Sequence, residues 1–196
     1  MTRIIAGAAK GRRLAVPKHG TRPTSDRVRE SLFAAVSAHF AKAGIDWPEV
    51  SVLDLYAGTG ALGLEALSRG AGQVVLIEKT RTAGEVIGAN IKAVALPGAK
   101  LIVGDVGSVL GRLGEQHFHL VLVDPPYEVA SADIATVLMS LQVNRLLAGG
   151  ALVVVERPAP GGHCPLPAAW EVLQQRRHGD TNLWYGQVPK NVLDLE

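Results

Sequence analysis

The chain has 196 residues, of which 47% are hydrophobic and 19% are charged. This composition is too apolar for a disordered chain, and the length suits one domain better than two. The single cysteine, Cys164, excludes an intrachain disulfide and a zinc cluster built on cysteines. No apolar run approaches the ~18 residues of a membrane span, and the first ten residues do not resemble a signal peptide. We therefore expect a cytoplasmic protein, and a monomer.

The net charge of +2 is distributed unevenly. Residues 1–30 contain eight basic and two acidic side chains, whereas residues 31–196 contain twelve basic and sixteen acidic ones. A basic segment can bind a polyanion, because the phosphates that it neutralises release their counterions. The alternative is a solvated face that keeps the protein soluble.

Residues 1–45 are predicted to form an extension made of a β-hairpin and a helix. The hairpin pairs Ile4-Ile5 with Arg12–Val16. Two strands alone are marginally stable, so the hairpin has to dock on the body or on a ligand. The helix is expected to begin at the N-cap Thr24, with Asp26 in its first turn. Its apolar stripe recurs every four residues, at Val28, Leu32, Val36 and Phe40.

From Ser51 onward, short apolar runs alternate with helical stretches, which is typical of a parallel sheet covered on both faces. Five strands are predicted, at residues 52–55, 73–78, 100–103, 118–123 and 151–156. Helices are predicted between them, at 61–69, 81–95, 106–113 and 131–146. Two final strands, 170–174 and 182–188, predict an antiparallel hairpin. We therefore expect residues 46–196 to form a Rossmann-like, doubly wound α/β domain of about seven strands, with its ligand beyond the carboxyl ends of the strands.

A glycine-rich turn follows the first of these strands. The run Asp54-Leu55-Tyr56-Ala57-Gly58-Thr59-Gly60, together with Gly63, matches the G-x-G-x-x-G pattern of dinucleotide sites. Glycines let the backbone approach a ligand closely, and the following helix N-terminus offers unpaired N–H groups. The Asp54 carboxylate would repel a pyrophosphate but suits a ligand with positive charge. An NAD site and a tight turn without a ligand are the alternatives.

Acidic residues end the next two strands. Glu78 ends the second strand, where a carboxylate can accept hydrogen bonds from both hydroxyls of a ribose. Asp105 ends the third strand, where it can accept a hydrogen bond from an adenine amine or cap the helix that follows. The carboxyl ends of parallel strands meet at one edge of a sheet, so both residues predict a nucleoside site there.

The fourth strand leads into Asp124-Pro125-Pro126-Tyr127. The two prolines fix φ at about −65° and stiffen the turn, so its carbonyls are expected to point outward. The Asp124 carboxylate and the Pro125 carbonyl can each accept an N–H from the exocyclic amine of a nucleobase, which frees the nitrogen lone pair to attack. Tyr127 offers a face on which a base can stack. The alternative is a proline-rich turn with a surface tyrosine.

These segments resemble the successive motifs of class I S-adenosylmethionine-dependent methyltransferases that act on nucleobase amino groups. The runs Gly7-Ala8-Ala9-Lys10-Gly11-Arg12-Arg13-Leu14 and Arg22-Pro23-Thr24-Ser25-Asp26-Arg27-Val28-Arg29-Glu30-Ser31-Leu32-Phe33 are similar to those of the RsmD-like family. That family methylates the N2 amine of one guanine in bacterial 16S rRNA. The resemblance extends from Arg3 to Val188 and departs at His178, where relatives more often have Tyr.

The resemblance implies that S-adenosylmethionine lies across the strand ends, with its ammonium at Asp54, its ribose at Glu78 and its adenine at Asp105. The implied cofactor-binding set is Asp54, Gly58, Thr59, Gly60, Glu78, Lys79 and Asp105. The implied catalytic set is Asp124, Pro125, Pro126 and Tyr127. The implied partner is 16S rRNA in an assembling small ribosomal subunit. The expected RNA-binding set is Arg3, Lys10, Arg12, Arg13, Arg22, Arg27 and Arg29, although Arg22 and Thr24 could instead reach the cofactor.

Three other functions compete with this interpretation. The Asp124 motif would also serve a DNA adenine-N6 methyltransferase, although such enzymes usually add a recognition domain that this chain has little room for. The glycines and Glu78 alone would also serve a cofactor-binding protein or an NAD enzyme. A catalytically inactive RNA-binding module would bind RNA without transferring a methyl group.

The remaining reactive side chains predict no metal site or nucleophile. His117 and His119 could share one face of a strand, but no third ligand has suitable spacing, so exposed strand-end histidines are expected. Cys164 follows His163, and no orienting partner accompanies the pair.

Overall fold

The computed structural model describes residues 2–17, 25–159 and 163–190. The strands of this part of the chain are β1 (Thr2–Arg3), β2 (Arg13–Leu14), β3 (Ser51–Leu55), β4 (Gln73–Glu78), β5 (Ala99–Val103), β6 (Phe118–Val123), β7 (Leu147–Pro158), β8 (Glu171–His178) and β9 (Thr181–Gln187). The helices are α1 (Asp26–Ala43), α2 (Ala61–Ser68), α3 (Arg81–Val94), α4 (Val106–Leu110) and α5 (Ser131–Val143), with a 3-10 turn at Trp47–Glu49. None of the helices in these ranges has the length and apolar character of a membrane span.

Seven strands form one sheet in the order β5-β4-β3-β6-β7-β9-β8. The first five strands of this order are parallel to one another. Strand β9 pairs antiparallel with both β7 and β8. The predicted doubly wound sheet with a terminal antiparallel hairpin is therefore confirmed. Several boundaries were wrong: β7 begins at Leu147 rather than 151, β8 ends at His178 rather than 174, and α4 and α5 end at Leu110 and Val143 rather than 113 and 146.

Both faces of the sheet are covered, because alternate residues of each buried strand point to opposite sides. Leu53 and Leu55 pack with residues of α4 and α5, such as Val109 and Leu138. Val52 packs on the other side, with residues of α1, α2 and α3. A strand buried on both faces has no polar exterior, and this explains the nearly continuous apolar runs in the sequence.

The N-terminal hairpin docks on the C-terminal half of α2. The carboxylate of Glu65, which is buried, accepts the backbone N–H groups of Ile5 and Ala6 at 2.7 and 3.1 Å. The hydroxyl of Ser68 accepts the Ala9 N–H at 2.9 Å and donates to the Ala6 carbonyl at 2.6 Å. Two short strands were expected to need a docking partner, and side chains of α2 provide it.

Helix α1 begins one residue later than predicted. Its N-cap is Ser25, whose side chain accepts the Val28 N–H, whereas the predicted cap Thr24 lies outside the described residues. Asp26 does lie in the first turn. The predicted stripe of Val28, Leu32, Val36 and Phe40 is buried in the core.

Arg29 is an interior residue, which corrects its predicted role as an RNA contact. Its guanidinium donates to the Arg3 carbonyl at 2.7 Å and to the Asp26 carboxylate at 2.8 Å, and the residue has no exposed surface. Burial lowers the pKa of Arg29, and the carboxylates of Asp26 and Glu65 act in the opposite direction. The side chain therefore ties the hairpin to the start of α1.

A glycine substitution tests how closely the hairpin approaches α2. A Cβ added at Gly7 (φ +83°) would lie 1.8 Å from the Ser68 carbonyl oxygen, so Gly7→Ala should detach the hairpin. We expect faster amide exchange at residues 4–9 and a lower melting temperature.

Gly11→Ala is the matched control. Gly11 has nearly the same φ, +82°, and an added Cβ would meet nothing within 4 Å. The free energy of unfolding of this variant should therefore fall only by the ~1 kcal/mol that backbone strain costs an alanine at this φ. Equal exchange at residues 4–9 in the two variants would contradict the docking described above.

Candidate active site

A cavity of about 1030 Å³ opens at the carboxyl ends of the parallel strands. Each of these five strands has, within two residues of its carboxyl end, an acidic residue that lines the cavity. In sheet order from β5 to β7 these residues are Asp105, Glu78, Asp54, Asp124 and Glu156. The sheet therefore gathers four predicted site residues, and one that was not predicted, around one space.

Asp54 lies on β3, on the face of the sheet covered by α2. It is almost fully buried, and its carboxylate accepts the Gly63 N–H of α2 at 2.8 Å. A Cβ at Gly63 would lie 3.0 Å from the same oxygen, so glycine permits this close approach. The pKa of Asp54 is raised to about 7, chiefly by burial; the Gly63 hydrogen bond opposes this shift, and the nearby charges of Asp124 and Glu78 add to it. Near neutral pH this group can therefore exchange a proton.

The glycine turn is held by Glu78. One carboxylate oxygen of Glu78 accepts the Gly58 N–H at 3.0 Å, and the other accepts the N–H and the hydroxyl of Thr80 at 2.9 and 3.0 Å. Gly58 and Gly60 have positive φ values of 56° and 76°, which glycine adopts at low cost. Glu78 therefore holds the glycine turn in place. The sequence analysis predicted only that Glu78 would bind the hydroxyls of a ribose.

Asp105 precedes α4 without capping it through its side chain. Its carboxylate lies 3.8 Å from the Lys79 ammonium, and both side chains are more than half exposed. Asp105 was expected to cap α4 or to bind an adenine amine, and its side chain makes no capping hydrogen bond. The carboxylate lines the cavity instead, beside Val106 and Gly107.

The Asp124-Pro125-Pro126-Tyr127 turn lines the cavity next to the glycine turn. Pro125 is buried, whereas Tyr127 is 42% exposed. The Pro126 carbonyl accepts the Val129 N–H at 3.0 Å, which corrects the expectation that the carbonyls of both prolines point outward. The Val129 carbonyl in turn accepts the guanidinium of Arg157 at 2.8 Å, so the segment after the prolines is fixed to β7.

Sequence reasoning missed several residues of the cavity. Tyr56 lines it in a left-handed conformation, with φ +60°, and this backbone state has no signal in the sequence. Burial, followed by the charges of Asp105 and Asp133, raises the pKa of Tyr56. Glu156 follows the buried apolar run 151–155 of β7, and the reasoning that selected Glu78 could have found it.

The turn between β8 and β9 also reaches the cavity. His178, Gly179, Asp180 and Thr181 belong to its lining. A ring nitrogen of His178 lies 3.2 Å from the Ser31 hydroxyl of α1, and Thr181 lies 3.5 Å from Glu156 through its hydroxyl. The β8–β9 hairpin, to which the sequence analysis assigned no function, thus forms one wall of the site.

The predicted RNA-binding residues fall into three groups. Lys10, Arg12, Arg13 and Arg27 are exposed, as is Arg3, which pairs with Asp26 at 3.2 Å. Arg29 is buried, as described above. Arg22 lies outside the described residues. The exposed cations on the hairpin and on α1 are therefore accessible to a ligand, and RNA binding by them stays a prediction.

The residues that suggested metal binding or a nucleophile lie apart from the cavity lining. His119 accepts the Ser51 N–H at 3.2 Å, and Cys164 is exposed. Within residues 2–17, 25–159 and 163–190, no three His, Cys, Asp or Glu side chains are grouped as a metal site.

Comparison with known proteins places this fold and site in a family. The family model described as Conserved hypothetical protein 95, which corresponds to the RsmD-like family, matches residues 2–187. The chain belongs to this family. The resemblance stated from the motifs is therefore confirmed, and the matched range includes both the N-terminal hairpin and the cavity.

Curated relatives and solved structures cover most of the chain. Ribosomal RNA small subunit methyltransferase D of Escherichia coli is 36% identical over 178 residues, which are 90% of this chain and 85% of the relative. The protein of the same name from Haemophilus influenzae is 32% identical, over 90% of this chain and 89% of the relative. The solved structure of yhhF from Escherichia coli has 34% identity and a TM-score of 0.79, covering 97% of this chain and 99% of its own.

The pKa of Asp54 gives this family member a predicted pH dependence. An aspartate has a pKa of 3.8 in the unfolded chain, so between pH 4 and 7 the folded protein keeps a proton that the unfolded protein releases. This contribution to stability is complete below pH 3.8 and is lost as the pH rises through 7. In Asp54→Asn the contribution is absent. We expect the free energy of unfolding of this variant, relative to the original chain, to rise between pH 4 and 7 in urea titrations; a constant difference would contradict the raised pKa.

Proposed function

We propose that this protein transfers a methyl group from S-adenosylmethionine to the exocyclic N2 amine of a guanine in 16S rRNA. The observation that carries the proposal is that one cavity joins the glycine turn, the acidic strand ends and the Asp124-Pro125-Pro126-Tyr127 turn. The names of the curated relatives, ribosomal RNA small subunit methyltransferase D, support the substrate class.

The cavity fits the proposed cofactor in its chemistry. The Asp54 carboxylate provides a negative partner for an ammonium group, and Glu78 and Asp105 provide acceptors for hydroxyl and amine donors. Leu62 and Val106 add apolar surface to the same lining. Lys79 and Thr59 complete the proposed set, with the backbone of Gly58 and Gly60. When bound, S-adenosylmethionine supplies a methyl group that its sulfonium has already activated.

The chain's own contribution to the reaction is to orient the amine. Asp124 and the Pro125 carbonyl are proposed to accept one N–H each, on a turn that the prolines and the Val129 contacts hold rigid. Orientation of this kind can supply about 7 to 11 kcal/mol of the barrier. Asp124 is also placed to take the proton that leaves the nitrogen, which is worth a factor of about 10² to 10⁴. Tyr127, at the exposed rim, is proposed to stack on the base.

The charge of the cavity favours guanine over adenine. On its pairing edge guanine presents two adjacent donors, N1–H and the N2 amine, whereas adenine presents an acceptor at N1. Val123 and Val155 are paired in neighbouring strands, and the residues that follow them, Asp124 and Glu156, both line the cavity. Two neighbouring carboxylates offer acceptors to two donors and would repel the adenine N1 lone pair. We therefore place the DNA adenine-N6 alternative second.

The partner is proposed to be 16S rRNA within an assembling small ribosomal subunit in the cytoplasm, met by a monomer of this protein. A guanine has to leave its stack to present its amine, at a cost of a few kcal/mol. Basic residues on the extension, residues 1–45, would offset this cost by binding phosphates, while residues 46–196 carry out the transfer.

Substitution of Asp124 separates orientation of the amine from cofactor binding. Asp124→Ala removes the carboxylate and should abolish methyl transfer, while S-adenosylhomocysteine still raises the melting temperature. Asp124→Asn keeps one carbonyl acceptor and should retain more activity than the alanine variant. The assay incubates each variant with labelled S-adenosylmethionine and undermodified small subunits, and then identifies the methylated nucleoside.

Two results would contradict this assignment. A variant that transfers methyl groups normally would show that Asp124 is not needed, and loss of the thermal shift would move Asp124 into the cofactor site. Labelled N6-methyladenosine rather than N2-methylguanosine from the original chain would replace the proposed substrate.

Charge reversal tests the RNA-binding face. Arg12→Glu, Arg13→Glu and Arg27→Glu together should weaken RNA binding and lower the slope of log affinity against log salt, by about 0.7 to 0.9 for each phosphate that the variant no longer binds. Affinity for S-adenosylhomocysteine should not change. RNA affinity is measured by filter binding between 50 and 200 mM salt, roughly the range over which phosphate binding is resolved.

Reversal of three exposed cations on the body provides a control of equal charge. Lys100, Arg112 and Arg145 are exposed residues of the sheet domain, outside the extension and the cavity lining. Their triple glutamate variant should leave the salt slope almost unchanged. An equal decrease of slope in both triple variants would indicate a response to net charge rather than contact by the extension.

A further inference from the structure

Asn90 joins two segments that are 44 residues apart in the chain, Ala15 and Thr59. Its side-chain oxygen accepts the Ala15 N–H at 2.7 Å. Its side-chain nitrogen donates to the carbonyls of Ala15, at 3.0 Å, and Thr59, at 2.8 Å. The residue is 1% exposed.

The chemistry of this position requires an amide. A carboxamide has two N–H donors and one oxygen, and all of them are used here. Aspartate would lack the donors. Leucine would remove both hydrogen bonds to Ala15 and leave the buried Thr59 carbonyl without this partner, which costs free energy. On α3, Asn90 interrupts a buried stripe that otherwise consists of Ala83, Gly84, Ile87 and Val94. Packing alone would favour an apolar residue at this position.

The two joined segments belong to different halves of the proposed function. Thr59 lies in the glycine turn and lines the cavity. Ala15 follows β2 of the basic hairpin and comes two residues before Pro17, which also lines the cavity. The Asn90 amide thus connects, through hydrogen bonds, the backbone just after the hairpin with the glycine turn.

We propose that Asn90 is a positioning residue that couples cofactor binding at the glycine turn to RNA binding by the hairpin. This inference rests on the proposed function. Ordering of the glycine turn fixes the Thr59 carbonyl and, through it, the Asn90 amide. The amide in turn fixes the backbone of Ala15 and, with it, Arg13 of β2. Linkage makes the effect reciprocal: RNA strengthens cofactor binding by the same factor as the cofactor strengthens RNA binding.

The test measures four affinities in the full chain. S-adenosylhomocysteine, which cannot react, and small-subunit RNA are each titrated alone and in the presence of the other. In the original chain we expect each ligand to tighten the other by at least about 5-fold, the lower end of typical coupling. In Asn90→Leu the factor should fall to within about 2-fold of unity. A variant that is merely destabilised would lower the melting temperature without removing the coupling.

Ser68→Ala is the matched control. Ser68 also makes two hydrogen bonds to the hairpin, at Ala6 and Ala9, but none to the glycine turn. This variant should loosen the hairpin and keep the coupling factor. If it removes the coupling as completely as Asn90→Leu does, general docking of the hairpin is responsible and the proposal is wrong.

A second variant acts from the other end of the link. Ala15→Pro removes the N–H that the Asn90 oxygen accepts and leaves α3 intact. It should also reduce the coupling, and it decides the question if Asn90→Leu does not fold. A coupling factor of one in the original chain, or full coupling in both folded variants, overturns the inference. Formation of N2-methylguanosine by the original chain in the same preparation shows that such a failure does not extend to the proposed function.

Discussion

The register of the parallel strands is the constraint on which the site depends. Leu55 of β3 pairs with Ile77 of β4 on one side and with Val123 of β6 on the other, and Val123 pairs with Val155 of β7. The residues that follow these partners are Tyr56, Glu78, Asp124 and Glu156, and all four line the cavity, with Asp54 one position before Leu55. A shift of one residue in any pair would turn a carboxylate toward a helix and an apolar side chain toward the cavity. Apolar packing on both faces fixes this register, so the core determines the position of the chemistry.

The acidic residues beside the cavity have two functions in this arrangement. Asp54 and Glu78 each accept backbone N–H groups of the turn and helix beside them, at Gly63 and Gly58. These bonds satisfy buried donors and at the same time hold carboxylates beside the cavity. Negative charge is costly to bury, and the raised pKa of Asp54 expresses that cost. A cationic ligand would reduce it.

The elements with a strong local signal were predictable from the sequence. The limits of β4 and β6 agree with prediction because apolar runs end there at Glu78 and Asp124. Four of the five acidic residues near the strand ends were found by the same logic, and Glu156 was not. The left-handed Tyr56, the entry of the β8–β9 turn into the cavity and the Asn90 link depend on contacts between distant segments, which periodicity does not encode. Arg29 was misassigned because a basic residue in a basic segment gives no indication of its burial.

Arg29 has a practical consequence for mapping studies of the extension. Eight basic residues occur in the first thirty, and they look equivalent in the sequence. Arg29 holds the Arg3 carbonyl and the Asp26 carboxylate in the interior, whereas Arg27, two residues earlier, is exposed. In an alanine scan, loss of the Arg29 side chain would therefore act through the fold, whereas loss of the exposed Arg27 side chain would not. Folding of each mutant has to be verified before its phenotype is attributed to a lost contact with a ligand.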